Sequence, residues 1–284
     1  MNLLAGKIAG WLPFLLAVLL TGGCADVQEV PVEEAIRVSQ EMIGTQQSFT
    51  NVYEEISYTA STLEELNTDG QSFLTPVDCV KLRAVSDDTG VFPTIFEFDY
   101  GNACQSGIHQ FSGKVLAEFD GFVDNENTQI EVDLQDFQID QSVLQGTYSI
   151  AKKGSDDQGR LVIEHQIHNG ISIKEQYRFN IGASIVTTLI NSDFQANPNG
   201  IPEVIENTWE ENINATFVDS ESVVYTVTTE SPVVTISTWP IPVAGVLKLE
   251  NLSNQLSFSI DFGNYEKDNF VMITIGEETT ELSL

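Results

Sequence analysis

Catalysis or metal binding in this chain would have to rest on histidine, cysteine or closely spaced acids. The 284 residues hold few of the first two: His109, His165, His168, Cys24, Cys79 and Cys104. His165 and His168 are three apart in a stretch of two-residue periodicity, so they face opposite sides of a strand and cannot share a metal. A three-residue loop at His168-Asn169-Gly170 would turn that strand back and set Ile167 against Ile171, burying one continuous apolar face. In that register Ile163 opposes Glu175, which makes His165 and Glu175 diagonal neighbours. The expectation is a hydrogen-bonded polar pair at the edge of the core rather than a catalytic site. Glu210 and Glu211 are adjacent on a strand and point apart. The chain has no Gly-x-Ser-x-Gly elbow, no His-Glu-x-x-His helix and no phosphate loop. "DNENTQIE" at residues 124–131 is rich in oxygen ligands but lacks the glycine and spacing of a calcium loop. These residues describe a protein that is not an enzyme and that needs no metal or cofactor.

Charge narrows the partners. The chain carries 42 acidic and 12 basic residues, a net charge of −30. It has no basic patch with which to displace counter-ions from a phosphate backbone, so no nucleic-acid partner is expected. An anionic membrane surface should repel it as well. The N-terminus offers another route to a membrane. Residues 1–10 carry Lys7 and no acid, residues 11–20 are apolar, and Thr21-Gly22-Gly23-Cys24 follows. This is the organisation of a secretory signal peptide. Its apolar core is too short to span a bilayer, which takes about 20 residues. Leu20-Thr21-Gly22-Gly23-Cys24 resembles the lipobox of bacterial lipoproteins, although its leucine sits four residues before the cysteine rather than three. Residues 1–23 are then a signal peptide, Cys24 is the acylated first residue, and residues 24–31 form a tether. With Cys24 given to lipid, Cys79 and Cys104 allow one pairing, which an exported protein would oxidise. Two free buried thiols are the alternative.

The elements that position these residues fall into two kinds. From Val32 the apolar residues recur at helical steps, and Glu33 and Glu34 suit the first turn, so residues 32–67 should be an amphipathic helical segment that Gly44-Thr45 could divide. From residue 76 to residue 284 the period is two. Phe96, Phe98 and Tyr100 share a face, as do Val115, Ala117 and Phe119. At Gln135-Asp136 the phase slips and Phe137 and Ile139 take over, which predicts a β-bulge. We expect about fourteen antiparallel strands, too many for one open twisted sheet, arranged as a sandwich or a curled half-barrel. The helical segment should cover one face or one edge. "FEFDYGN" ends one hairpin and "FSIDFGN" another. Asp99 and Asp261 fall on the outer face, where a carboxylate beside a Gly-Asn corner bonds to turn backbone. The reuse suggests an internal duplication of the 79–104 and 246–266 hairpins. Residues 191–204, "NSDFQANPNGIPEV", form the longest irregular segment, and Phe194, Asn197 and Asn199 there are candidate binding residues.

"DCVKLRAV…FEFDYGNAC", "SGKVLAEFDGF", "LQDFQIDQSVLQGTYSI" and "WPIPVAGVLKLE…SIDFGN…MITIGEETTEL" together resemble uncharacterised lipoproteins common in Bacteroidetes, built from IDFGN-x-C β modules. The resemblance spans most of the chain after residue 78. In that family the second module often carries its own cysteine pair; this chain has none after Trp239 and Asn264, so no second disulfide is expected. The resemblance implies a cell-envelope location, outer-membrane anchored and either periplasmic or surface-exposed, and it lends no catalytic residues. A structural or binding role for an unknown protein or glycan partner is the leading expectation. One alternative is a carrier of lipid or another apolar ligand, with Phe96, Phe119 and Tyr148 lining a cavity. Another is a glycan-binding adhesin with an aromatic platform such as Phe194 or Trp209.

Overall fold

The computed structural model describes residues 30–60, 79–85, 92–123, 125–196 and 202–284. One helix, α1 (Val32–Ala60), precedes the strands. The first are β1 (Lys81–Ala84), β2 (Thr94–Asp99), β3 (Cys104–Ser106), β4 (His109–Ser112) and β5 (Lys114–Phe119). Long strands follow: β6 (Gln129–Ile139), β7 (Ser142–Ser155), β8 (Leu161–Lys174), β9 (Tyr177–Ala196), β10 (Pro202–Val218) and β11 (Val224–Ile236). The last are β12 (Ala244–Asn251), β13 (Ser257–Asn264), β14 (Phe270–Ile275) and β15 (Glu278–Ser283).

All fifteen belong to one antiparallel sheet, in which each strand from β5 to β15 pairs with the next. The path begins at β1 and ends at β15, and the β3–β4 hairpin branches off β6. Alternate residues of each strand are buried, for example Val115, Ala117 and Phe119 of β5 opposite Leu134, Val132 and Ile130 of β6. These inward residues and the stripe Ala35, Val38, Met42, Phe49, Val52 and Ile56 of α1 form one hydrophobic core. The helix touches β7, β9 and β14, strands far apart in the sheet order. A sheet can meet one helix at such separated strands only by wrapping around it. The fold is therefore a curled, unclosed sheet around its own helix, not a two-sheet sandwich.

α1 is continuous through Gly44 and Thr45, where a break could have fallen. A helical glycine costs about 1 kcal/mol relative to alanine. Burial of Ile43, Thr45 and Gln46 beside it offsets that cost. Residues 61–67, the rest of the expected helical segment, lie outside the described residues.

The bulge read at Gln135-Asp136 is present: the β6–β7 register shifts between Leu134 and Phe137. The Asn169-Gly170 turn is not. β8 runs through it to Lys174, and Asn169, with φ 52°, is a bulge residue where the registers with β7 and β9 both shift. Gly170 then faces inward, and a Cβ there would stand 2.9 Å from Cζ of Phe49 on α1. The helix presses on the sheet at this point, so Gly170 and Ser172 take the inner face and leave Ile171 and Ile173 half-buried outside. Residues 191–196 and 202–204, expected to be irregular, are instead paired strand, the ends of β9 and β10, with Phe194 registered against Val204; residues 197–201 lie outside the described residues.

The aspartate-glycine corner ends β2 at the first site, while at the second it lies in the last residues of β13, where the register with β12 shifts. Asp99 Oδ1 accepts the Gly101 N–H at 2.9 Å, and Asp261 Oδ1 accepts the Gly263 N–H at 2.9 Å. Both glycines have positive φ, 61° and 85°. A disulfide joins Cys79 to Cys104 across 25 residues, tying the segment before β1 to the start of β3.

Candidate functional site

Glu211 stands where strand alternation puts hydrophobic residues. It precedes Ile213, Ala215 and Phe217 on the inner face of β10, and all four are buried. Its neighbour Glu210 points the other way, 3.7 Å from Arg160. An ionised carboxylate in that interior needs partners. Glu211 Oε2 accepts the side-chain amide of Gln46 on α1 at 2.9 Å, and Oε1 accepts the Thr235 hydroxyl at 3.1 Å. Burial nonetheless raises its pKa to about 7, against the lowering effect of these two bonds.

Two turns along α1 from Gln46, Glu54 faces the same space. Burial, reinforced by the charge of Glu211, pushes its pKa up to about 7 as well. No hydrogen bond from a described residue reaches the Glu54 carboxylate. The two acids line a cleft of about 510 Å³ walled by α1, the β3–β4 hairpin and the β11–β12 connection. Ile108, Phe111, Ile236 and Trp239 make its apolar side, and Glu55 adds a third carboxylate. No lysine or arginine is among the residues that line it. The Ile108 tip of the hairpin is 61% exposed, an apolar residue held out at the rim. A cleft of this volume, with an apolar wall and a few convergent polar groups, has the size and make-up of a small-molecule site.

A second hollow of about 460 Å³ lies on the other flank of α1 and shares Gln47, Asn51 and His109 with the first. Its wall is more polar. His109 Nδ1 sits 2.9 Å from Asp140 Oδ2, and Asp140 Oδ1 accepts the Gln110 N–H.

The sequence-predicted residues fall as follows. His165 is buried but does not pair with Glu175. Because β8 continues past Asn169, His165 lies opposite Ile150 and Ile185, whereas Glu175 is exposed in the turn after Lys174, roughly 30 Å farther along the strand. The partner of His165 is Tyr148, whose hydroxyl is 2.7 Å from Nδ1, and Tyr53 packs edge-on at 4.8 Å. Burial pushes the imidazole pKa down to about 3, so it stays neutral. His168 is exposed on the opposite face. Asn197 and Asn199 lie outside the described residues, as does Cys24, and nothing is described of the Phe194 side chain. Phe96 and Phe119 pack on each other at 5.5 Å, and Tyr148 packs on Phe49 of α1 at 6.4 Å, so these positions interdigitate rather than line a cavity. Trp209 is half-buried and packs against the core. Among the described residues no three His, Cys, Asp or Glu side chains are grouped to hold a metal, and no helix is long and apolar enough to cross a membrane.

The Glu54–Glu211 pair was missed by sequence reasoning. One signal was available: Glu211 occupies the apolar phase of its strand, where an acid is out of place. Nothing in the spacing brings Glu54 to it. No protein-family model matches the sequence, and no curated protein or solved structure matches the chain, so its function has to be argued from its own side chains.

Proposed function

We propose that this is a non-catalytic binding protein of the cell envelope, anchored by lipid at Cys24, whose ligand site is the cleft beside α1. The observation that carries the reading is the cleft itself. It sets an exposed isoleucine and a tryptophan opposite the carboxylates of Glu54 and Glu211, with no lysine or arginine in the lining, on a scaffold whose remaining interior is filled by its own helix. The two acids are shifted in the same direction by the same cause, which does not separate a general acid from a general base as a catalytic pair requires. The Cys79–Cys104 disulfide supports an oxidising compartment. The lipobox-like residues at Cys24 support the anchor, since acylation adds about 0.8 kcal/mol per buried methylene.

Site-specific photo-crosslinking in intact cells tests the site. A photoreactive residue at Ile108 should yield an adduct that is lost in a Trp239→Ala background, while one at Ile95, exposed on the outer face of β2, should not. Equal labelling at both positions, or none at Ile108, would remove the cleft as the binding site. Fractionation of a Cys24→Ser variant tests the anchor: it should leave the membrane fraction.

A further inference from the structure

The cleft's chemistry narrows what it can hold. Glu54 and Glu211 supply negative charge as they ionise, and no lysine or arginine lines the cleft to neutralise it. Glu211 spends both oxygens on Gln46 and Thr235, whereas Glu54, half-buried in the cleft wall, has no donor among the described residues. A carboxylate so placed gains most from a charged donor that arrives with a ligand, because an ion-paired hydrogen bond in a desolvated site is stronger than one between neutral groups. Trp239, half-buried at the rim, offers an aromatic face of the kind that holds cations. The chain's net charge of −30 adds long-range attraction for positive ligands.

We propose that the cleft binds a small organic cation, a primary amine or guanidinium on a compact apolar body, with Glu54 as its direct partner and Glu211 as the second counter-charge. The inference rests on the cleft being the binding site and adds the ligand's charge and size. The open end near Ile108 and Trp239 takes the apolar body, and the cationic end points toward α1.

Titration of the intact mature protein with 2-phenylethylamine and agmatine, followed by calorimetry and Trp239 fluorescence, tests it. Two uncharged or anionic shape-mates, 2-phenylethanol and 3-phenylpropanoate, serve as the comparison. The amines should bind and the shape-mates should not, and Glu54→Gln should weaken the amines about tenfold or more, the scale of one charged hydrogen bond. Glu54 has no partner to lose, so that variant should melt no lower than the parent, and the lost affinity cannot be put down to unfolding. Glu55→Gln provides a control for simple loss of negative charge and should weaken them less. If the shape-mates bind as well as the amines, or Glu54→Gln leaves amine affinity unchanged, the cationic class is overturned while the cleft survives as a site. If neither amine binds but the Ile108 adduct forms, the cationic class is again overturned and the binding reading stands. Loss of both the amine signal and the Ile108 adduct overturns the two together.

Discussion

A buried glutamate, a half-buried one and a buried histidine give the protein an unusual dependence on pH, and the signs can be worked out group by group. Glu211 has a folded pKa of about 7, above the ordinary carboxyl value. Its contribution to stability is complete below that ordinary value, near 4.5, and is lost as pH rises through about 7. The shift corresponds to about 3 kcal/mol between the two limits. Glu54 acts in the same direction, but it is coupled to Glu211 and partly exposed, so its share is smaller and not additive. His165 acts in the opposite direction: with a folded pKa of about 3 it stays neutral, so its contribution is present above its ordinary value of 6.5 and is lost as pH falls toward 3. Of these three groups, only the glutamates change between pH 6.5 and 8. The melting temperature should therefore fall from pH 6 to pH 8, and Glu211→Gln should flatten that fall and exceed the parent at pH 8. An equal slope in both proteins would show that Glu211 is not the group responsible. His165→Phe should remove part of the acid-side loss while leaving the Tyr148 hydroxyl without its partner, a cost of about 1–3 kcal/mol at neutral pH.

At the scale of elements, the contact between α1 and the β8 bulge decides more than its size suggests. A Cβ at Gly170 would meet Ile167 Cγ2 at 2.5 Å, Phe49 Cζ at 2.9 Å and Ile181 Cγ2 at 3.0 Å. Overfilling of this kind costs about 1–3 kcal/mol. Gly170→Ala should therefore destabilise by that amount, and Phe49→Leu in the same chain should recover part of it. Additive losses in the double variant would mean that the helix and the bulge do not press on each other. The same contact explains why the turn could not be located from sequence. Asn-Gly is the signal for a tight hairpin and also for a left-handed bulge, and the choice is made by Phe49, 120 residues upstream, which no local pattern reports. Signals carried within one strand were legible: the two-residue period, the phase slip after Leu134, and the Asp99 and Asp261 corners with their positive-φ glycines. The cysteine pair was legible because only one pairing remained once Cys24 was assigned. The extent of β9 and β10 was not, because Asn191, Ser192, Asp193 and Pro202 have loop composition yet lie in paired strands. The cleft was not legible: its one sequence signal, Glu211 as an acid in an apolar register, does not point to α1.

For the whole molecule, the central fact is that the helix lies inside the curl of the sheet and not on its outside. An amphipathic helix usually shows one polar face to water. Here most of α1 after its first turn is buried or half-buried, with Gln40 and Gly44 the exposed positions between residues 36 and 57. Polar anchors hold it along its length. Arg37 donates to Asp219 Oδ2 at 2.9 Å, the Tyr225 hydroxyl donates to Glu34 at 2.6 Å, and Gln46 donates to Glu211. The sheet ends in two strands, β1 and β15, that do not pair with each other, so closure does not hold the curl. The shared core does. α1 and the sheet should consequently open as one cooperative unit, and the amides of α1 between Val38 and Ile56 should exchange with solvent only through global unfolding, at the rate of those in the centre of β9. Arg37→Ala should leave that equality intact while lowering global stability, because Asp219, fully buried, would lose its ion-pair partner. Native-state hydrogen exchange read by mass spectrometry separates the cases. If the helix exchanges through a lower-energy opening while β9 stays protected, α1 is a detachable plug, and the wall of the cleft it provides is a gate that opens independently of the sheet.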